Sequence, residues 1–251
     1  MSAASRARFA EVVRAEPVDV GLAALLIAAE VEPTLDVDAS LALLDSFAAG
    51  ARAGVLARGP AEGLLLGLQG FAGDELDFDH LRSSLLPEVL RRGRGLPLLL
   101  SIVWVEVASR LGVAASYAIV PGRVVVVLGD LEDEHVVVDV FAREVLRAPV
   151  EALSPGEVLL RLLTNIRALS VRQPRSLESA RLRLWATELS LLLPSHPVEL
   201  RRERGELLVR LGSYAHGAAE LEAYASVVSD ADEEGAETCR REARQARARL
   251  N

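Results

Sequence analysis

The sequence predicts an α+β protein with a helical N-terminal part, a small antiparallel sheet and an α-helical tail. Apolar residues recur at helical spacing up to about residue 70, runs of β-branched residues fill residues 115–141, and helical spacing returns from about residue 155. This order of elements predicts a domain over 1–150, helical over 1–70 with its core over 71–150, followed by a helical region over 155–251.

One long helix is the clearest element of the first region. The stretch "DVDASLALLDSFAAGARAGVLARG" has apolar residues at helical spacing, with Asp36 or Asp38 as the N-cap and Gly59-Pro60 as the end. The next stretch, "GFAGDELDFDHLRSS", is acidic and rich in turn residues, and we expect it on the surface.

The centre of the chain predicts one buried helix packed on a sheet. "RRGRGLPLLLSIVWVEVASRLG" runs through a Gly-x-Pro turn into an apolar helix from Pro97 to Leu111, which Gly112 ends. The runs "ASYAIV", "RVVVVLG" and "EHVVVDVF" predict strands, which turn-forming residues separate. Their short connections favour an antiparallel sheet.

The tail contains two similar stretches, residues 167–197 and 205–232, offset by roughly 35 residues, which is the period of tetratricopeptide helix pairs. The second stretch has the better signature, Leu211-Gly212 followed by Tyr214, with Ala218 and Ala219 where paired helices approach. Because about three such repeats are normally needed for stability, we expect the tail to dock on the preceding domain.

Charge and hydropathy restrict the possible partners. The chain has 28 Lys and Arg against 36 Asp and Glu, a formal charge of −8, which gives no overall attraction for phosphate backbones or anionic lipid. The most apolar stretch, residues 96–107, is interrupted by polar residues and is shorter than the roughly 20 residues of a membrane span. We therefore expect no nucleic acid and no membrane as partners.

The cysteine and histidine residues predict neither a disulfide nor a metal site. Cys239 is the single cysteine, which fits a reducing compartment, and we expect a cytoplasmic protein. His80 with Asp77 and Asp79 offers cation ligands, but carboxylates in an exposed loop are more often solvated. We expect no metal and no cofactor.

Taken in order, these segments resemble the SirB-type transglutaminase-like proteins, a bacterial family. The most specific piece is Arg-Arg-x-x-Gly-Leu-Pro leading into an apolar helix that ends Arg-Leu-Gly. The Pro-Gly pair at 121–122 and the later Asp-x-Phe at 139–141 are weaker signals. The resemblance implies a papain-like, transglutaminase-type core followed by tetratricopeptide-like helices.

The resemblance also implies where a catalytic triad would lie. In active relatives a cysteine at the start of the helix attacks an acyl group, and a histidine and an aspartate on successive strands activate it. These positions correspond to Pro97, or a residue next to it, to Arg123 and to Asp139. Only the aspartate is present, and Leu99 and Ser83 are further departures from residues that the family tends to have.

Two hypotheses follow from these substitutions. Proline offers no nucleophile and arginine is no general base near neutral pH, which favours a catalytically inactive protein that binds or scaffolds another protein. The alternative is a hydrolase or acyl-transfer enzyme with a rearranged site made of Ser101, His135 and Asp139. Against it, a serine within an apolar helix usually donates to a carbonyl one turn back, and a histidine after an acidic turn is usually solvated.

The inactive reading predicts binding residues instead of catalytic ones. Arg123 and Asp139, on successive strands, are expected to form an ion pair, unless Arg123 points outward from its strand end. Arg91, Arg92 and Arg94 would then form the rim of the former cleft, available for a carboxylate or an acidic peptide, or form only a solvated basic turn. Tyr214 is the expected binding residue of the tail, and the partner is an unidentified protein or peptide.

Overall fold

The computed structural model describes residues 3–73, 80–172 and 176–249. The chain divides into two compact units, Met1–Leu162 and Leu163–Asn251, which are described separately below. Helices make up most of both units, and the first unit contains a small antiparallel sheet, which confirms the predicted α+β class.

Five helices lie before the central segment of the first unit: α1 (Ala3–Val12), α2 (Val20–Val31), α3 (Val37–Arg58), α4 (Pro60–Gly67) and α5 (Leu86–Arg92). Of the two caps expected for α3, the structure uses Asp36, whose Oδ1 accepts the Ala39 N–H at 2.9 Å. The helix ends at Gly59, which has a positive φ of 82°. Pro60 then begins α4, so the predicted end of the helix is observed.

Among the described helices, α3 is long and apolar enough to cross a membrane by length and composition alone. Leu44, Ala48 and Ala51 on one side of it are buried, and the helix contacts α4 and α6 (Pro97–Arg110). The expectation that no membrane is a partner stays a prediction.

The segment between α4 and α6 differs in part from the expected surface loop. Strand β1 (Ala72–Gly73) pairs in parallel with β2 (Arg94–Gly95), and a short 3-10 helix covers Leu81–Ser84. Ser83 and Ser84 are fully buried, so this end of the segment is not on the surface as predicted. Residues 74–79 lie outside the described part of the chain.

Helix α6 forms the centre of the first unit. Every residue from Leu98 to Trp104 is buried, as expected for a helix that is apolar all round. The helix contacts β3 (Ala115–Val120) and β4 (Arg123–Gly129). The prediction of a helix packed on a small sheet is confirmed.

The described sheet has five strands in the order β6-β5-β4-β3-β7, with β5 at His135–Asp139, β6 at Glu144–Leu146 and β7 at Glu151–Leu153. All neighbouring pairs are antiparallel, and Gly129 of β4 lies opposite His135 of β5. Consecutive valines 125–127 of β4 are all fully buried. Since both faces of this strand are covered, its valine run does not alternate with polar residues.

The second unit is helical, with the later part of α7 (Pro155–Arg172), then α8 (Leu177–Ser190), α9 (Glu199–Arg210), α10 (Tyr214–Val228) and α11 (Glu233–Ala248). Helices α9 and α10 lie close together at two glycines. A Cβ on Gly217 would lie 2.8 Å from the carbonyl oxygen of Gly205. Ala218 is buried as expected, but Ala219 is exposed, so Gly217 rather than Ala219 permits the close approach.

Candidate functional site

The resemblance described above places the nucleophile of active relatives at or next to the first position of α6. Pro97 occupies it, preceded by Leu96 in an extended conformation. Proline fits this position because its missing N–H would have no partner within the helix, and its fixed φ suits the first turn. The local sequence therefore favours the start of the helix and supplies no reactive atom at that residue.

Arg123 and Asp139 form an ion pair. Arg123 begins β4, Asp139 ends β5, and the antiparallel register brings these strand ends together. The Arg123 Nη1 donates to Oδ2 of Asp139 at 2.5 Å. The arginine side chain is 48% exposed while the aspartate side chain is 1% exposed, so the buried charge is the carboxylate.

The second carboxylate oxygen of Asp139 is also occupied. Its Oδ1 accepts the backbone N–H groups of Phe141 and Ala142, both at 2.9 Å. Because Arg123 donates to the other oxygen, the Asp139 carboxylate links the start of β4 to the turn that follows β5. A buried carboxylate bonded in this way stabilises the local fold.

The end of β5 and the start of α6 lie at the same edge of the unit. A Cβ on Gly73 would come within 2.2 Å of the Phe141 ring, so the two residues are in contact. Gly73 in turn pairs with Gly95, two residues before Pro97. The Arg123–Asp139 pair therefore belongs to the edge where the resemblance places the catalytic positions.

The alternative set of Ser101, His135 and Asp139 is not brought together. Ser101 is fully buried, and its hydroxyl donates to the Pro97 carbonyl at 2.9 Å, as expected for a serine within an apolar helix. His135 is exposed, with Nδ1 3.1 Å from the Asp133 carbonyl. His135 and Asp139 stand at opposite ends of β5, about 13 Å apart at the usual rise per residue.

The three arginines of the predicted rim have different surroundings. Arg91 donates to both carboxylate oxygens of Glu88, at 3.1 and 2.9 Å, and this hydrogen bonding lowers the pKa of Glu88 below its ordinary value. Arg92 is half-buried. Arg94 is exposed and makes a long bond, 3.4 Å, to the Gly93 carbonyl. Arg94 is therefore the rim residue best placed to meet a ligand carboxylate.

In the tail, Tyr214 is half-buried at the start of α10. The guanidinium carbon of Arg249 lies 5.7 Å from the centre of its ring, within cation–π range. The ring also packs against the core that α10 and α11 share. Tyr214 thus has a structural role, and its predicted binding role stays a prediction.

Sequence reasoning missed Arg143, four residues after Asp139. Its Nη1 donates to the carbonyls of Leu68 and Phe71, both at 2.8 Å, and its Nη2 donates to Leu65. These carbonyls lie at and just after the end of α4, where a helix leaves its last carbonyls without partners. Arg143 has a positive φ of 62°, the value that a glycine usually adopts, so the fold holds it in an unfavourable conformation.

The described residues contain no group of three or more His, Cys, Asp or Glu side chains that could hold a metal ion. Asp77 and Asp79, considered above with His80, lie outside them. The expectations of no metal and no cofactor stay predictions.

Comparison with known proteins gives family matches over most of the chain. Residues 28–164 match the transglutaminase-like superfamily, and residues 172–251 match the tetratricopeptide repeat. No solved structure matches the chain.

Similar relatives are UPF0162 proteins. One from Xylella fastidiosa strain Temecula1 is 28% identical over 232 residues, which cover 80% of this chain and 81% of the relative. One from Pseudomonas aeruginosa is 33% identical over 180 residues, which cover 61% of this chain and 66% of the relative. The narrower SirB-type assignment stays a prediction.

Proposed function

Because this chain belongs to the transglutaminase-like superfamily and continues into tetratricopeptide repeats, we propose that it is a catalytically inactive member of that superfamily that binds or scaffolds another protein. Tetratricopeptide repeats indicate protein–protein interaction in general, because their stacked helices expose extended binding surfaces. A cytoplasmic location is part of the proposal, and cell fractionation tests it.

The observation that carries the proposal is the Arg123–Asp139 ion pair. In a working triad the aspartate orients a histidine, and the histidine takes a proton from the nucleophile. Here Asp139 bonds a permanent cation and two backbone N–H groups. A guanidinium cannot accept a proton near neutral pH, so this carboxylate has no base to orient.

No contact among the described residues favours the serine-based enzyme. A serine nucleophile needs a base within about 3 Å, whereas the Ser101 hydroxyl is bonded to its own helix. His135 lies at the other end of β5 from Asp139.

We place the binding surface of the core at the same edge as the ion pair. The side chain of Arg123 is 48% exposed there and Arg94 is an exposed residue, and planar guanidinium groups bind carboxylates in a bidentate way. The partner that fits this surface presents carboxylates, as an acidic peptide does.

Assays of the purified full chain test inactivity. We expect no turnover of a glutamine-containing acyl-donor peptide or of p-nitrophenyl acetate above the buffer rate. Ser101→Ala and the matched control Ser109→Ala, an exposed serine of the same helix, should be indistinguishable from wild type. Turnover that Ser101→Ala abolishes and Ser109→Ala preserves would overturn the proposal.

Affinity capture from extract of the native cells tests the binding role. Wild-type chain should enrich a protein reproducibly, and full-length Tyr214→Ala and Arg94→Ala should each reduce its recovery. His216→Ala, an exposed neighbour on α10, is the matched control and should leave recovery unchanged. Equal recovery with all four chains, or no enrichment over bare resin, would contradict a specific partner.

A further inference from the structure

A second candidate site lies at the end of the sheet opposite the Arg123–Asp139 pair. It is a groove of about 970 Å³ within the first unit. Three turns form its walls: the α3–α4 turn, the turn after α6, and the hairpin that joins β4 to β5. Since β4 has seven residues, the groove is about 20 Å from the ion pair along the strand.

Each of the three turns contains a glycine with a positive φ: Gly59, Gly112 and Gly129. Gly59 and Gly112 have φ values of 82° and 74°, and a Cβ built on either residue meets no atom within 4 Å. The surrounding chain therefore leaves this space unfilled. A volume of this size is at the upper end of the range for ligand pockets, about 300–1,000 Å³.

The lining is apolar, with a rim of carboxylates. Val113 and Val136 contribute apolar surface, and Val136 is 37% exposed although it lies in a strand. On the rim, Asp133 and Glu134 are exposed and make no ion pair in the part of the chain that the structure describes.

The positive charge on the same rim is already neutralised. Arg58 lines the groove, but its Nη1 lies 2.6 Å from Oε1 of Glu62, another lining residue. Asp130 and Glu132, in the same hairpin turn, add further negative charge beside the groove. The potential over an apolar floor is therefore negative, which attracts a cation and repels an acidic ligand.

We propose that this groove binds a segment of a partner protein in which a lysine or arginine is flanked by apolar side chains. The apolar flanks would cover Val113 and Val136, and the cation would lie between Asp133 and Glu134. This site is separate from the edge assigned above to an acidic partner and does not depend on the chain being catalytically inactive. The two ends of the same strands would then bind ligands of opposite charge.

Fluorescence polarisation with two labelled peptides tests the proposal. The first probe is the hexapeptide Val-Leu-Arg-Val-Lys-Leu, and the second replaces its two basic residues with glutamate. Full-length wild-type chain should bind the basic peptide at least about tenfold more tightly than the acidic one. Raising NaCl from about 0.05 to about 0.5 M should weaken the binding, because the charges are exposed.

Variants locate the site. Asp133→Asn combined with Glu134→Gln should weaken binding of the basic peptide about tenfold, because both unpaired carboxylates are lost. Glu132→Gln is the matched control, since it lies in the same turn but does not line the groove, and it should bind within about twofold of wild type. Ala61→Phe, which fills the groove without changing charge, should also abolish binding.

Three results would overturn the proposal: equal binding of the two peptides, an effect of Glu132→Gln as large as that of the double variant, or no binding of the basic peptide by wild type at millimolar concentration. Circular dichroism of each variant shows whether it folds. None of these results bears on the absence of turnover, so this inference and the proposed function can fail separately.

Discussion

Breaking the Arg123–Asp139 pair should lower the free energy of unfolding of the first unit, and the burial of the two side chains determines by how much. Arg123→Met removes the donor to the Oδ2 of a carboxylate that is 1% exposed. Leaving a charged acceptor without its bond costs about 1.5–3 kcal/mol, and the half-exposed arginine puts the cost near the lower value because water can replace it. We expect about 1.5 kcal/mol.

Asp139→Asn should cost more. The amide oxygen keeps the two backbone N–H bonds, but the amide nitrogen then faces the Arg123 guanidinium, donor against donor. We expect about 3 kcal/mol for this variant. The double variant should cost less than the sum of the two by about 1 kcal/mol, because each single change already breaks the shared bond.

Tryptophan fluorescence can report the unfolding of the first unit. Of its two tryptophans, Trp104 is buried in the first unit and Trp185 in the second. In a Trp185→Phe background, urea unfolding followed by tryptophan fluorescence reports on the first unit alone. With a slope of about 2 kcal/mol/M, 1.5 kcal/mol lowers the urea midpoint by about 0.7 M.

Arg58→Met is the matched control, because Arg58 pairs with Glu62 on the surface of the same unit, with side chains 54% and 63% exposed. Exposed pairs of this spacing contribute about 0.5 kcal/mol or less. If Arg123→Met costs no more than Arg58→Met, or if the double-mutant coupling is zero, Asp139 does not depend on its arginine and the reasoning fails.

Three further predictions concern other parts of the chain. Hydrogen bonds from the Ser154 hydroxyl and N–H lower the pKa of Glu157 below its ordinary 4.5. Its stabilisation is therefore present above pH 4.5 and lost as pH falls through the lowered value. Glu157→Gln should reduce thermal stability at pH 7, and the reduction should shrink as the pH falls below 4.5; an equal effect at pH 7 and pH 3 would contradict the carboxylate's role. Burial raises the pKa of Tyr117 well above 10, and its hydroxyl has no hydrogen-bond partner among the described residues. Tyr117→Phe should leave the unfolding free energy unchanged or raise it by up to about 1 kcal/mol, and a loss above 1 kcal/mol would reveal an unseen partner. Gly217→Ala would place a methyl group 2.8 Å from the Gly205 carbonyl, and should cost about 1–3 kcal/mol in urea unfolding followed by the second unit's tryptophan; a neutral result would mean that α9 and α10 separate freely.

Local signals in the sequence were enough to predict several elements. The ends of α3 follow from a cap residue and a glycine-proline stop, both of which act within one turn of the helix. The meeting of Arg123 with Asp139 was predictable because the chain between them is short and folds back once. The consecutive valines of β4 and β5 predict these two strands without information from other parts of the chain.

Other features carry no local signal. Strands β6 and β7 have three residues each, too few for alternation to be recognised. The burial of Ser83 depends on the elements that pack over it, which the local sequence does not show. The polar, turn-rich stretch around it predicted an exposed residue, whereas Ser83 is buried. Arg143 donates to carbonyls that lie more than 70 residues earlier in the chain, and no local pattern in either segment predicts this contact.

Arg143 also constrains how this sequence can change in evolution. One planar side chain satisfies three carbonyl oxygens near the end of α4. Lysine, the nearest substitute in charge, has a single nitrogen and no fixed fork, so it cannot replace all three bonds with the same geometry. Loss of this arginine would leave these carbonyl oxygens without their donor. A substitution at Arg143 therefore requires a compensating change near the end of α4, some 75 residues earlier in the chain.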